Sequence, residues 1–402
     1  MSMTYSVPRS ITYGECALEA LGTLKGTRAM LVTGGNSMKK HGFLERAQQI
    51  LEQAGFTVRV FDGVEPNPSV ETVQRGAKEM CEFKPDWIVA IGGGSAIDAA
   101  KIMWVFYEHP SLTFEAMLTP NSIPPLRGKA RFAAIPSTSG TASEITAFSV
   151  ITDTRKHIKY PIVSAEMVPD LAILDPALPA TMPPHVTANT GMDVLAHALE
   201  AIASTQATSL TNPDAYEAAR LVFEYLPIAY TYPTDMYARS RMHEASALAG
   251  MAFSNASLGL THAMAHKLGG EFGLAHGLAN AVLLPHVIEF NRVNAEENPY
   301  ELLEDFLGVE DLAEAVRELN EVLGLPCCLR DCESANCPED KFNAALDRMS
   351  QNALEDPCVL TNPATPSVDD VKTIYRAAYE GVGTCAASHP THHTREIPLS
   401  TD

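Results

Sequence analysis

Short apolar, β-branched runs alternate with amphipathic stretches through the first part of the chain. AMLVT (29–33) has the density of a buried strand, and HGFLERAQQILEQAG (41–55) has the three-to-four spacing of a helix closed by Gly55. TVRVFDGV (57–64) and WIVAI (87–91) predict two further strands, with a helix over 69–83 between them, and RFAAIP (131–136) predicts a fourth. Strands separated by helices predict a parallel sheet with crossover helices, an α/β dinucleotide-binding type of domain. Ligands in such sheets sit beyond the carboxyl ends of the strands. Beyond Met182, with Pro183 and Pro184 as a break, Ala/Leu-rich helical text takes over, as in 214–226 and 238–254. This predicts two domains: an α/β dinucleotide-binding domain over 1–182 and an all-α domain over 183–402, with no internal repeat or low-complexity linker.

Two stretches after predicted strands carry candidate chemistry. GGGSAIDAAK (92–101) follows the third strand, and its glycines let a backbone approach a ligand while the helix beginning near Ser95 aims free N–H groups at it. It is neither a Walker loop nor the G-x-G-x-x-G fingerprint. STSGT (137–141) follows the fourth strand; Ser137, Thr138, Ser139 and Thr141 have the hydroxyls to bind phosphate, ribose or an amide, although a polar turn explains the same composition.

The helical half holds the densest signal. Between Gly259 and His286 an apolar, Gly/Ala-rich run contains His262, His266, His276 and His286, and His262 and His266 share a helix face. Asp193 and His197 repeat that four-residue spacing upstream. A carboxylate and imidazoles on apolar helices are what a divalent metal requires; core histidines satisfied by backbone groups are the plainer alternative. Placed in the helical half, such a centre faces the nucleotide domain across a cleft.

Composition changes the picture only by exclusion. A net charge of −20 over 402 residues argues against nucleic-acid or anionic-membrane partners. No apolar run reaches membrane-spanning length, and the first residues lack a signal-peptide core, so cytoplasm is the expected location. Cys327, Cys328, Cys332 and Cys337 cluster without a C-x-x-C pair and are read as ordinary thiols, while Cys16, Cys81, Cys358 and Cys385 are scattered. His389, His392 and His393 fall in a polar tail and are set aside.

DGVEPNPS, IGGGSAIDAAK, IPSTSGTASEIT, KYPI, TGMDVLAHALEA and THAMAHKLGGEFGLAHGLANAVLLPHV together resemble the iron-containing (group III) alcohol dehydrogenases over essentially the whole chain. Within that family the text looks nearest to the alcohol dehydrogenase half of bifunctional aldehyde-alcohol dehydrogenases; with no room for their other half, a stand-alone dehydrogenase is expected. The resemblance implies that Asp193, His197, His262 and His276 bind the metal, with His266 beside it as a candidate proton relay. It implies that Asn67, Gly93, Gly94, Ser95, Asp98, Thr138, Thr141, Thr146 and Lys159 line the dinucleotide, and it leaves His286 a structural role. His185 and His243 match no motif. NAD-dependent members often carry an Asp after the first strand; Gly34 and Gly35 stand there, with Lys39 and Lys40 nearby, which leans toward NADPH over NADH.

The implied reaction is interconversion of a small primary alcohol and its aldehyde by hydride transfer with NAD(P)H, in the direction of aldehyde reduction. Iron is the expected metal, with zinc, manganese or cobalt compatible with the same N/O donors. Substrates range from short linear aldehydes to anionic or polar ones such as sulfoacetaldehyde, lactaldehyde or succinate semialdehyde. A homodimer through the N-terminal domain is expected. Three rivals remain: a metallohydrolase using the same Asp/His set, against which the two nucleotide-type loops count; the glycerol-dehydrogenase and dehydroquinate-synthase-like relatives, against whose usual ligand sets Asp193 with His197 four residues later argues; and a binding protein with a relic site.

Overall fold

The computed structural model describes residues 4–156, 158–332 and 336–381; Cys385, His389, His392 and His393 lie outside them. The strands are β1 (Ser10–Tyr13), β2 (Arg28–Gly34), β3 (Thr57–Val64), β4 (Trp87–Gly92), β5 (Arg131–Pro136), β6 (Phe148–Asp153), β7 (Ile158–Val163) and β8 (Leu171–Leu174). Six form one sheet in the order β1-β8-β5-β4-β2-β3, and every neighbouring pair is parallel. β6 and β7 form a separate antiparallel hairpin. The helices of this half are α1 (Ser37–Lys40), α2 (Phe43–Gln53), α3 (Val70–Phe83) and α4 (Gly94–Glu108).

The central strands are apolar without interruption because both faces are covered. Met30, Val32, Ile88, Ala90 and Phe132 pack with α3 and α4 on one face. Ala29, Leu31, Val89, Ile91 and Ile135 pack with α2 on the other. β2 pairs with β3 on one side and with β4 on the other, so the direction of winding reverses at β2. That reversal opens a crevice beyond the carboxyl ends of β2 and β4, where the Gly34–Gly35 and Gly92–Gly94 turns lie.

After β8 the described chain is helical: α5 (Pro184–Ala203), α6 (Asn212–Thr231), α7 (Met236–Ala256), α8 (Leu260–Phe272), α9 (His276–Asn294), α10 (Glu301–Leu307), α11 (Leu312–Val322), α12 (Glu339–Leu354) and α13 (Val368–Glu380). α5, α6 and α7 share one core with α11, whereas α8 and α9 share another with α12 and α13. The two halves interlock: Tyr5 and Ser6 reach across to hydrogen-bond Asp214 and Asn255.

The helix expected over 41–55 is corrected at its start. Gly42 takes a left-handed φ of 79°, so α2 begins at Phe43 and residues 37–40 form their own short turn. Gly55, at φ 94°, does lie just past the end of α2. The stretch after β5 divides: 137–147 is a loop, and only from Phe148 does it become a strand.

Candidate metal centre and cofactor cleft

The turn between β4 and α4 is built for close approach. Gly93 is the N-cap of α4 and offers no side chain there. A Cβ on Gly94 would stand 2.8 Å from the Thr141 hydroxyl, so the STSGT loop lies directly against the start of the helix. Thr138 packs on Gly93, Thr141 bonds Ser143 at 3.0 Å, and the Asn67 N–H approaches the Ser95 hydroxyl at 3.4 Å, with Asn67 itself left-handed at φ 56°. The first N–H groups of α4 are thus ringed by Asn67, Ser95, Thr138 and Thr141, an arrangement suited to an anion. The Thr33 hydroxyl at the end of β2 is buried with no hydrogen-bond partner. Gly34 and Gly35 follow it; a Cβ on Gly34 would meet the Val64 carbonyl at 2.5 Å, whereas Gly35 has φ 61° and open space.

Asp98 and Thr146 lie farther along and meet a buried cation. The Lys101 ammonium, fully buried, donates to the carbonyls of Thr146 (2.6 Å) and Phe148 (2.8 Å). Asp98 accepts from the Val150 N–H at 3.1 Å and keeps Oδ1 unpartnered. Burial pushes Asp98 up to about 6 and Glu144 up to about 7, and holds Lys101 down to about 8. Lys159, on β7, is lowered by burial, and its charge reaches His276.

The metal candidates converge from three helices. Asp193 (α5), His262 (α8) and His276 (α9) each turn one ligand atom to within 4.8 Å of the others. Asp193 Oδ1 is 3.7 Å from His262 Nε2 and 3.4 Å from His276 Nε2. Gly277 makes this possible: a Cβ there would lie 1.9 Å from the Asn189 carbonyl, so the first turn of α9 rests on the α5 backbone. The fourth candidate, His197, stacks between Phe253 (4.2 Å) and His262 (4.6 Å), and its Nδ1 is buried without a partner. It stands beside the three converging atoms rather than among them.

The residues present fit a divalent ion. The three converging ligand-type atoms surround one side-chain amide: Asn280 Nδ2 donates to Asp193 Oδ1 at 2.7 Å and lies 3.3 Å from each histidine Nε2. The electrostatics of Asp193 and His197 agree. Burial raises the Asp193 carboxyl, but His197 and His276 outweigh it and hold it far below the usual range. Burial lowers His197 to about 3, leaving it neutral, as a ligand must be. His262 runs the other way: burial opposes its charge, but the Glu200 carboxylate raises it to about 9, so a metal at Nε2 takes the place of a proton there.

His266 lies just outside. Its ring stacks on His276 at 5.4 Å, its side chain is 38% exposed, and its Nδ1 is 2.9 Å from Asp356, which also takes the Lys267 ammonium at 2.8 Å. Glu200, Asn280 and Asp356 were missed at the level of sequence. Only Glu200, seven residues after Asp193 on the same helix face, carried a usable signal. His286 is buried and 4.0 Å from Glu289. His243 is buried and neutral, lowered to about 3, with Nδ1 2.9 Å from the Ser139 hydroxyl. Cys328, Cys332 and Cys337 are buried, and burial raises Cys332 to about 12 and Cys337 to about 11. Cys327, Cys328 and Asp331 bring their ligand-type atoms within 4.8 Å of one another.

A doubly covered parallel sheet, a glycine turn at its switch point and a carboxylate–imidazole cluster on facing helices define a two-part protein with a candidate metal centre. The pattern of iron-containing alcohol dehydrogenases matches residues 8–176, and that of the C-terminal part of the Fe-containing alcohol dehydrogenase family matches 187–379. The chain belongs to this family. It is 46% identical over 387 residues to the NADPH-dependent butanol dehydrogenase of Clostridium saccharobutylicum, covering 94% of this chain and 98% of that protein. It is 40% identical to the aldehyde-alcohol dehydrogenase of Streptococcus pneumoniae serotype 4, covering 93% of this chain but 46% of that longer protein. The iron-containing alcohol dehydrogenase of Thermococcus thioreducens superimposes with a TM-score of 0.87 at 38% identity, covering 95% of this chain and all of that one. Among the described residues no helix is long and apolar enough to cross a membrane.

Proposed function

We propose that this alcohol dehydrogenase reduces short, unbranched aldehydes to primary alcohols with NADPH, using a divalent metal, iron by preference, held by Asp193, His197, His262 and His276. The observation that carries the reading is the meeting of three ligand-type atoms from three helices, Asp193 Oδ1, His262 Nε2 and His276 Nε2, around Asn280. A divalent ion there supplies Lewis acidity, polarising a carbonyl or acidifying an alcohol hydroxyl.

The chain does the rest. Gly93, Gly94, Ser95, Asn67, Thr138 and Thr141 bind the pyrophosphate at the start of α4, while Asp98, Thr146 and Lys159 orient the nicotinamide end. His276 keeps 39% of its side chain open, toward the side where a substrate enters. Phe253, stacked on His197 and tilted against Phe148 at 6.0 Å, walls the cluster with apolar surface. That wall, and the butanol dehydrogenase relative, support a neutral aliphatic substrate over an anionic one, since the nearby Lys267 is engaged by Asp356. His266, tied by Asp356 and reaching solvent, carries the proton.

NADPH is supported by Gly34 and Gly35, which place no carboxylate near a 2′-phosphate, and by exposed Lys39 and Lys40 in the following turn. Division at 182/183 into cofactor and metal-binding domains is supported by the change from strands to helices between Leu174 and Pro184. A cytoplasmic homodimer completes the reading; the seven described cysteines, all thiols, suit a reducing compartment, and the open sheet edges at β1 and β3 offer a pairing surface.

The test is anaerobic loading with Fe2+, then NADPH and NADH oxidation against butanal and a panel of neutral and anionic aldehydes, with His262→Ala as control. Metal-dependent turnover of butanal with NADPH, lost in the variant, is the expected result. Absence of nicotinamide turnover with the metal bound overturns it.

A further inference from the structure

We propose that Glu200 is a positioning residue of the metal centre, locking His262 in the tautomer that carries its proton on Nδ1 and turns the Nε2 lone pair toward Asp193 and His276. The inference rests on the metal-binding role given above to His262. Glu200 follows Asp193 and His197 on α5 at seven and three residues, so all three side chains leave one face of the helix.

Its carboxylate is 4% exposed and lies at the start of α8. That helix begins at Gly259, which has no side chain to cap it. Glu200 caps it from outside: Oε1 accepts the Thr261 N–H at 2.5 Å and faces the His262 N–H at 3.4 Å. Oε2 lies 2.6 Å from His262 Nδ1, and because a carboxylate can only accept, the proton of that bond sits on Nδ1. A Cβ on Gly259 would meet Oε1 at 3.0 Å, so the glycine leaves room for the carboxylate.

Each oxygen therefore faces only donors. With Nδ1 committed to Glu200, Nε2 is left as the atom that points at Asp193, 3.7 Å away. A carboxylate hydrogen-bonded to the far nitrogen also makes an imidazole a better ligand. Glutamine cannot imitate this. If its NH2 group faces His262, the ring must accept on Nδ1 and carry its proton on Nε2, which blocks the ligand position. If the NH2 group faces Thr261 instead, two donors oppose each other at a buried helix start.

The experiment uses the Zn2+-loaded, 15N-histidine-labelled holoenzyme. Long-range 1H–15N NMR is expected to show His262 protonated at Nδ1, with a low-field proton, and metal-bound at Nε2; coordination through Nδ1 overturns the proposal. Zinc retention against excess chelator is then compared for Glu200→Gln, with circular dichroism confirming its fold. The expected loss of metal affinity is about 10- to 100-fold, and retention equal to the parent overturns the proposal. If Glu200→Gln does not fold, the NMR measurement on the parent decides. Should the parent fail to hold one zinc, or His262→Asn hold it equally well, the metal-centre reading itself fails. If those controls behave and Glu200→Gln matches the parent, only the role of Glu200 does.

Discussion

Gly34 and Gly35 are adjacent in sequence but stand under different constraints, which makes the cofactor preference testable at one of them. At Gly34 a side chain would collide with the Val64 carbonyl, so substitution there perturbs the sheet. At Gly35 there is open space at φ 61°, a conformation Asp tolerates. Gly35→Asp is expected to lower kcat/KM for NADPH at least about tenfold relative to NADH, by repulsion of a 2′-phosphate; steady-state kinetics with both nucleotides check it. Glu144 gives a second prediction. It is 1% exposed, and burial raises it from 4.5 to about 7. Between those values the unfolded chain has lost a proton that the native protein keeps. The protonated carboxyl's contribution is full below pH 4.5 and is lost as pH rises through about 7, at a slope of about 1.4 kcal/mol per unit. Urea unfolding of Glu144→Gln and its parent at pH 5 and 7 should show the parent losing more stability on the rise than the variant. Residue-level chemistry was legible where spacing is local: the four-residue pairs Asp193/His197 and His262/His266 stood out in helical text, whereas His276 was singled out as a ligand only by the family resemblance. Asn280 and Asp356 did not, because they meet Asp193 and His266 across 87 and 90 residues.

At the scale of elements, the contact of α9 with α5 is the joint that brings His276 to Asp193. Because Gly277 sits against backbone, Gly277→Ala leaves nothing flexible to yield, and α9 must shift. Loss of bound metal and a fall in turnover beyond about tenfold are expected, in line with the cost of about 1 Å of misplacement at a catalytic site; metal content and kcat measured together check it. Strands were read closely: 57–64 and 131–136 coincide with β3 and β5. The helix over 41–55 was read through a break, since the apolar spacing continues across Gly42 while its left-handed backbone does not.

Across the whole molecule the metal candidates span α5, α8 and α9, and so join the two helical cores. Metal that binds only the folded state adds about 2.7 kcal/mol of stability at a hundredfold excess over its dissociation constant. Chelation of the holoenzyme is therefore expected to lower Tm by several degrees, with recovery on adding Fe2+ or Zn2+ but not Mg2+; calorimetry decides. The sequence by itself determined the alternation of strands and helices, the glycine turn after β4 and the ligand types at helical spacing, because each depends on neighbours within a turn or a strand. Tertiary structure alone decided that winding reverses at β2, that the STSGT loop closes on Gly94, and that three ligand-type atoms from separate helices meet around Asn280. Those outcomes depend on how distant segments pack, and no local period encodes which helix lies against which.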